Sequence, residues 1–175
     1  RDKIRLYADT PSSPDPAVYA QRMKRRMEQG FTFLKMDFGI GLIKNITGAL
    51  VGEKFWQGQS EWDQSRPGNL SNTKHPFTSI QITDLGLEKL TEYVHQVREI
   101  VGYEVPLAAD HFGHFDTNTA IRLGHAVEKY QLAWLEDMVP WFYTEKWKEI
   151  TQAINTPTLT GEDIFGKEEF KKLTQ

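Results

Sequence analysis

Leu107-Ala108-Ala109-Asp110, Leu132-Ala133-Trp134-Leu135-Glu136 and Thr158-Leu159-Thr160-Gly161-Glu162 are three short runs that each end in an acid. The acids lie 26 residues apart, twice. That spacing is about the length of one strand–helix unit. Three acids in phase with three successive units fall at one level of a parallel sheet, at the carboxyl ends of neighbouring strands, where α/β folds place their sites. Neighbouring strands are ~4.8 Å apart, so the three carboxylates are expected to converge. Without a cation, like charges that close repel, and one or two must protonate. Oxygen ligands without sulfur suit a hard ion, Mg2+ first and Mn2+ as the alternative. Acids at strand ends also cap helices or pair with rim cations, but three in strict phase favour a metal site of Asp110, Glu136 and Glu162.

Outward from these runs, short apolar stretches alternate with amphipathic ones, the pattern of an α/β parallel sheet. Ile4–Ala8 reads as a first strand and Phe31–Phe38 as a second. Leu107–Asp110 is the third, Gln131–Asp137 the fourth and Thr158–Glu162 the fifth. Asp15 and Pro16 open a first helix with Tyr19, Met23 and Met27 on one side and Gly30 as its stop. Leu87, Leu90, Val94, Val97 and Val101 form the stripe of a second, which starts near Asp84 and stops at Gly102. A third runs roughly from Thr119 to Tyr130, and a fourth starts near Thr144 with Trp147, Ile150 and Ile154 inward. Residues 39–83 keep neither period and hold six of the thirteen glycines and two of the five tryptophans. A loop this long is a lid over the site or a decoration packed on a neighbouring subunit; Trp56 and Trp62 argue that it is ordered.

The second strand carries Lys35 and Asp37, two apart and so on one face. In an otherwise apolar strand they serve catalysis, with Lys35 as a general base of lowered pKa beside a cation, or they form a buried ion pair. Both remain open on spacing alone. Asp9 has the phase of a strand-end acid but precedes a proline turn, which suits a cap. His111 and His114 follow the third strand; His114, past Gly113, is placed to swing in as an acid, although local hydrogen bonding is the commoner role. His75, His95 and His125 read as surface residues. Asp137 and Asp163, each next to a candidate ligand, are expected to face away from it, toward rim or supporting contacts.

The chain of 175 residues has a net charge of −3 and no cysteine. Disulfides and thiolate metal sites are excluded, and the charge gives no footprint for nucleic acid. No run approaches the ~18 apolar residues of a membrane helix, and no signal-peptide core opens the chain. A cytoplasmic protein without nucleic-acid or membrane partners is expected.

The acid series in LAAD, WLED and TGED, with Lys35-Met36-Asp37 on the strand before, resembles the enolase superfamily, in its mandelate racemase/muconate lactonizing branch. The resemblance runs over nearly the whole chain. It implies an α/β fold, a (β/α)8 TIM-type barrel of which this chain holds about the first five units. It also implies that an N-terminal capping domain and the last barrel units lie outside this chain. It implies Mg2+ on Asp110, Glu136 and Glu162, and removal of the proton α to a carboxylate through a metal-stabilised enediolate. Many members carry Lys-x-Lys on the second strand; this sequence has Lys35 and then Asp37, so Asp37 binds substrate or orients Lys35. The chain is also similar to the sugar-acid dehydratases of the branch. Where they carry Asp-x-His, it has Asp110-His111-Phe112, which leaves His111 or His114 as the acid. Dehydration of a sugar acid to a 2-keto-3-deoxy acid is the first expectation, and a racemase, epimerase or cycloisomerase using the same intermediate is the second. A non-catalytic metal-binding remnant and a different barrel metalloenzyme with histidine ligands are the outside alternatives. A small-molecule carboxylate is the expected substrate and a homo-oligomer the expected assembly.

Overall fold

The computed structural model describes residues 2–51, 81–110 and 116–174. Five parallel strands form one sheet in the order β1 (Ala8–Asp9), β2 (Leu34–Asp37), β5 (Leu107–Asp110), β6 (Leu135–Glu136) and β7 (Thr158–Leu159). Spatial order follows chain order, and helices separate the strands: α1 (Pro16–Glu28), α2 (Asp84–Val101), α3 (Thr117–Val127) and α4 (Thr144–Ala153), with α5 (Lys167–Lys172) after β7. This is the expected α/β winding, five units of a barrel-type sheet.

Caps set the helix starts. The Asp15 carboxylate accepts from the N–H groups of Ala17 and Val18 at 2.8 and 3.3 Å, and Pro16 occupies the first turn. Thr83 and Asp116 cap α2 and α3 in the same way. Gly30, at φ +92°, ends the turn after α1 as its position suggests. The apolar stripes face the sheet: Tyr19 and Met23 on α1, Leu90, Val94 and Val97 on α2, Leu123 and Val127 on α3, Trp147 and Ile150 on α4 are all buried. Leu34, Met36, Leu107, Ala109 and Leu135 are fully buried in the same core. Arg98 is buried too, donating to the carbonyls of Tyr130 and Gln131 at 2.9 and 2.8 Å. Those bonds fix the turn in which Gln131 takes φ +50°.

The strands are shorter than the sequence suggests. Ile4 and Leu6 alternate as a strand would, yet they are 78% and 65% exposed, and β1 begins only at Ala8. Arg5 instead bonds the Thr32 hydroxyl at 2.9 Å. The fourth strand does not start at Gln131, whose left-handed backbone cannot join a ladder, although Ala133 and Asp137 also bond adjacent strands. The fifth ends at Leu159 rather than Glu162, because Gly161 turns the chain at φ +139°. Part of the aperiodic 39–83 stretch is ordered: Ile40–Leu42 form a 3-10 turn, and β3 (Leu50–Val51) pairs antiparallel with β4 (Gln81–Ile82). Residues 52–80, with Trp56, Trp62 and His75, lie outside the described residues, as do His111, Phe112 and His114. Among the described residues, no helix is long and apolar enough to cross a membrane.

Candidate metal centre

One sheet face, the one opposite Leu34 and Met36, is layered along the strand direction. Phe33, Lys35 and Asp37 share it by strand alternation, as do Trp134 and Glu136. The first layer is aromatic: Trp134 stacks on Phe33 with centroids 4.9 Å apart and meets Tyr7 edge-on at 6.0 Å. The second layer, two residues nearer the carboxyl ends, is charged. Lys35 Nζ lies 2.5 Å from Asp110 Oδ2 and 3.7 Å from Glu136 Oε2, and 5.1 Å from the Tyr7 ring centroid. Lys35 is 4% exposed and Asp110 is fully buried. The Trp134 indole N–H donates to Glu136 Oε2 at 2.9 Å, tying the two layers together.

Glu162 completes the group. Carboxylate oxygens of Asp110, Glu136 and Glu162 all lie within 4.8 Å of one another. Within this chain the first two are buried and the third is exposed. The 26-residue phase therefore brings the three acids together, although Glu162 arrives from the turn after β7 and not from the strand itself.

Lys35 and Asp37 do not pair as strand neighbours. Lys35 instead extends its long side chain diagonally to Asp110, one strand over and two residues nearer the carboxyl end than its register partner Ala108. Asp37 stands level with Asp110 in the β2–β5 register. Its backbone N–H donates to the Tyr19 hydroxyl at 2.7 Å, and that hydroxyl donates to the Thr10 carbonyl at 3.1 Å. Asp9 is an exposed residue of β1, level with Lys35. His95 and His125 lie half-exposed on helices, as their spacing suggests.

Burial pushes the Lys35 pKa down, but the Asp110 hydrogen bond and the charges of Asp110 and Glu136 more than offset it. The net shift is upward, so in the absence of another cation Lys35 is held as an ammonium. Burial pushes the Glu136 carboxyl up; the Trp134 bond and Lys35 oppose this, and the Asp110 and Glu162 charges add to it. Asp137, expected to face away from Glu136 toward rim or supporting contacts, is buried at φ +49° and accepts from the Thr160 hydroxyl at 2.8 Å. Burial pushes its carboxyl up to about 7, with the neighbouring acids adding to the shift. Thr160 is a site neighbour that motif spacing alone does not mark, and Trp134 is one to which the sequence reading assigns no role.

The donor set fits a divalent cation: all oxygen, acidic and convergent. The sequence profile described as enolase C-terminal domain-like matches residues 18–175. The chain belongs to this family. Over 162 residues the enolase-type domain is 28% identical to a D-galactonate dehydratase family member of Streptomyces bingchenggensis, covering 93% of this chain and 36% of that protein. Among solved structures it superposes on a mandelate racemase/muconate lactonizing enzyme-like protein of Rubrobacter xylanophilus with a TM-score of 0.72 and 25% identity, over 99% of this chain and 41% of the other. It also shares its fold, at a TM-score of 0.67 and 17% identity, with a racemase of Streptomyces coelicolor that has bound magnesium, covering 98% of this chain and 38% of that one. The chain thus spans well under half the length of these relatives.

Proposed function

We propose that the intact protein is a Mg2+-dependent hydro-lyase that dehydrates a sugar acid to a 2-keto-3-deoxy acid. The observation that carries this reading is the convergence of Asp110, Glu136 and Glu162 within 4.8 Å beside the buried Lys35, in a domain whose curated relatives include a galactonate-type dehydratase. The three acids would hold the cation, which when bound supplies positive charge where the substrate carboxylate gains electrons.

The chain's own residues supply the rest. Lys35 holds Asp110 in place and offers its remaining ammonium protons to substrate oxygen. Asp37, at the carboxyl end of β2 and on the face of Lys35, lines the same side of the substrate. One of the pair takes the α-proton; a lysine base requires that Lys35 first give up the proton that Asp110 and Glu136 hold on it. As the β-carbon–oxygen bond breaks, an acid donates a proton and the hydroxyl leaves as water; His114 is assigned that part. The aromatic layer of Tyr7, Phe33 and Trp134 lies beneath the charges on that side.

A product assay over a panel of sugar acids tests the reading. Loss of water with appearance of a 2-keto-3-deoxy acid, abolished in Glu136→Gln, is the expected result. The second reading is an isomerase using the same proton abstraction, favoured by Phe112 where Asp-x-His dehydratases carry histidine. Exchange of the α-proton with deuterated solvent, without loss of water from any acid tested, would establish it and overturn the first.

A further inference from the structure

Glu162 presents a problem that its position on the chain does not solve. It lies three residues beyond the end of β7, exposed, after a glycine with φ +139°, yet its carboxylate sits within 4.8 Å of two buried acids. An exposed glutamate free to rotate would lose several rotamers on joining them, and like charge would drive it away. The segment that carries it is held from one side by Asp137. The Asp137 N–H donates to the Leu159 carbonyl at 3.0 Å, and the Thr160 hydroxyl donates to Asp137 Oδ1 at 2.8 Å. These two bonds fix the residues immediately before Gly161. After it, the Ile164 N–H closes the turn on the Gly161 carbonyl at 3.1 Å, and the Ile164 side chain is buried.

Asp137 is itself an expensive device. Its φ of +49° is a conformation L-residues seldom adopt, and its Oδ2 is buried with no hydrogen-bond partner among the described residues. Neither cost is needed to end β6. Both follow if the side chain must turn back from the strand to meet Thr160. We infer that Asp137 and Thr160 form a clamp whose work is to position Glu162 as the third ligand of the cation, so that both are positioning residues for metal binding. The inference rests on the metal site proposed above and adds to it the element that fixes its one exposed ligand.

The test is Mg2+ affinity of the intact protein by calorimetry, starting from metal-free protein, for Thr160→Val, Thr160→Ser, Glu162→Gln and the double variant Thr160→Val/Glu162→Gln. Supporting contacts to metal ligands are typically worth about 10–100-fold in affinity. Thr160→Val is expected to weaken Mg2+ at least tenfold by that scale, while Thr160→Ser, which keeps the hydroxyl, restores it. In the Glu162→Gln background, Thr160→Val is expected to add no further loss, which a general loss of stability would not reproduce. Circular dichroism of the metal-free variants checks folding; should Thr160→Val not fold, Thr160→Ala removes the same donor. Unchanged affinity in the folded Thr160 variant, or an additive loss in the double variant, overturns the clamp. Unchanged affinity in Glu162→Gln overturns the metal site instead.

Discussion

Replacing Lys35 by Met removes the ammonium from two buried carboxylates while leaving a side chain of similar length. At an effective dielectric of about 20, unit charges at the Lys35–Asp110 separation of 2.5 Å attract by roughly 7 kcal/mol, and at the Lys35–Glu136 separation of 3.7 Å by roughly 4 kcal/mol. The Asp110 contact therefore dominates. Desolvation of the three ions takes back most of this attraction, and breaking a buried pair from one side costs about 3–5 kcal/mol net. That loss is the expectation for metal-free Lys35→Met, read from urea unfolding in the presence of a chelator. Divalent cation bound at the cluster restores positive charge to the same carboxylates. The wild type should gain about 2.7 kcal/mol at a free Mg2+ concentration of 100 times Kd, and Lys35→Met should gain more, narrowing the gap between them. Equal destabilisation with and without Mg2+ would show that Lys35 and the cation do not share these carboxylates. No destabilisation in chelator would refute the electrostatic account of the cluster altogether.

Trp134→Phe keeps the stack on Phe33 but deletes the donor to Glu136; Mg2+ affinity should weaken about tenfold, and an unchanged calorimetric Kd would show that the indole bond does not orient the ligand. Tyr19→Phe removes the hydroxyl that accepts from Asp37 N–H and donates to Thr10. Leaving those buried groups without it should cost about 1–3 kcal/mol in urea unfolding; an unshifted midpoint counts against the bridge. Gly86→Ala pits helix propensity, worth ~1 kcal/mol in favour of Ala, against a Cβ that would overlap the Ala49 carbonyl oxygen. Backbone cannot yield as a side-chain tip can, so overpacking of about 1–3 kcal/mol should win, and a melting temperature raised by the substitution would contradict the packing.

The order of units was legible because each helix repeats its apolar residues on one side and each acid closes a strand–helix period. Strand lengths were not. Ile4 and Leu6 have the alternation of a strand, but alternation describes only which side chains share a face; a ladder also needs a neighbour, and none of the described residues supplies one there. Gln131 reads as part of a buried run, yet Arg98, 33 residues earlier, bonds its carbonyl and fixes a turn. The two-residue strands β3 and β4 are too short to carry any period, so their pairing across a long insertion leaves no mark in the sequence.

The same distinction runs through the site. Charges on one strand face are visible at a spacing of two, which marked Lys35 with Asp37 and would also have marked Trp134 with Glu136. Which charges meet depends on side-chain reach across the register, and there Lys35 extends diagonally to Asp110. Asp137 follows a ligand and by alternation turns away from Glu136, toward the rim or a supporting contact; that the contact is Thr160, on the segment that carries Glu162, depends on a single left-handed backbone angle that no spacing reveals. A periodic acid series thus specifies where ligands start from the backbone, while the contacts that hold an exposed ligand at a buried centre come from residues with no period at all. If that division is right, substitutions at Asp110 and Glu136 should abolish cation binding outright, whereas those at Trp134, Asp137 and Thr160 should grade it.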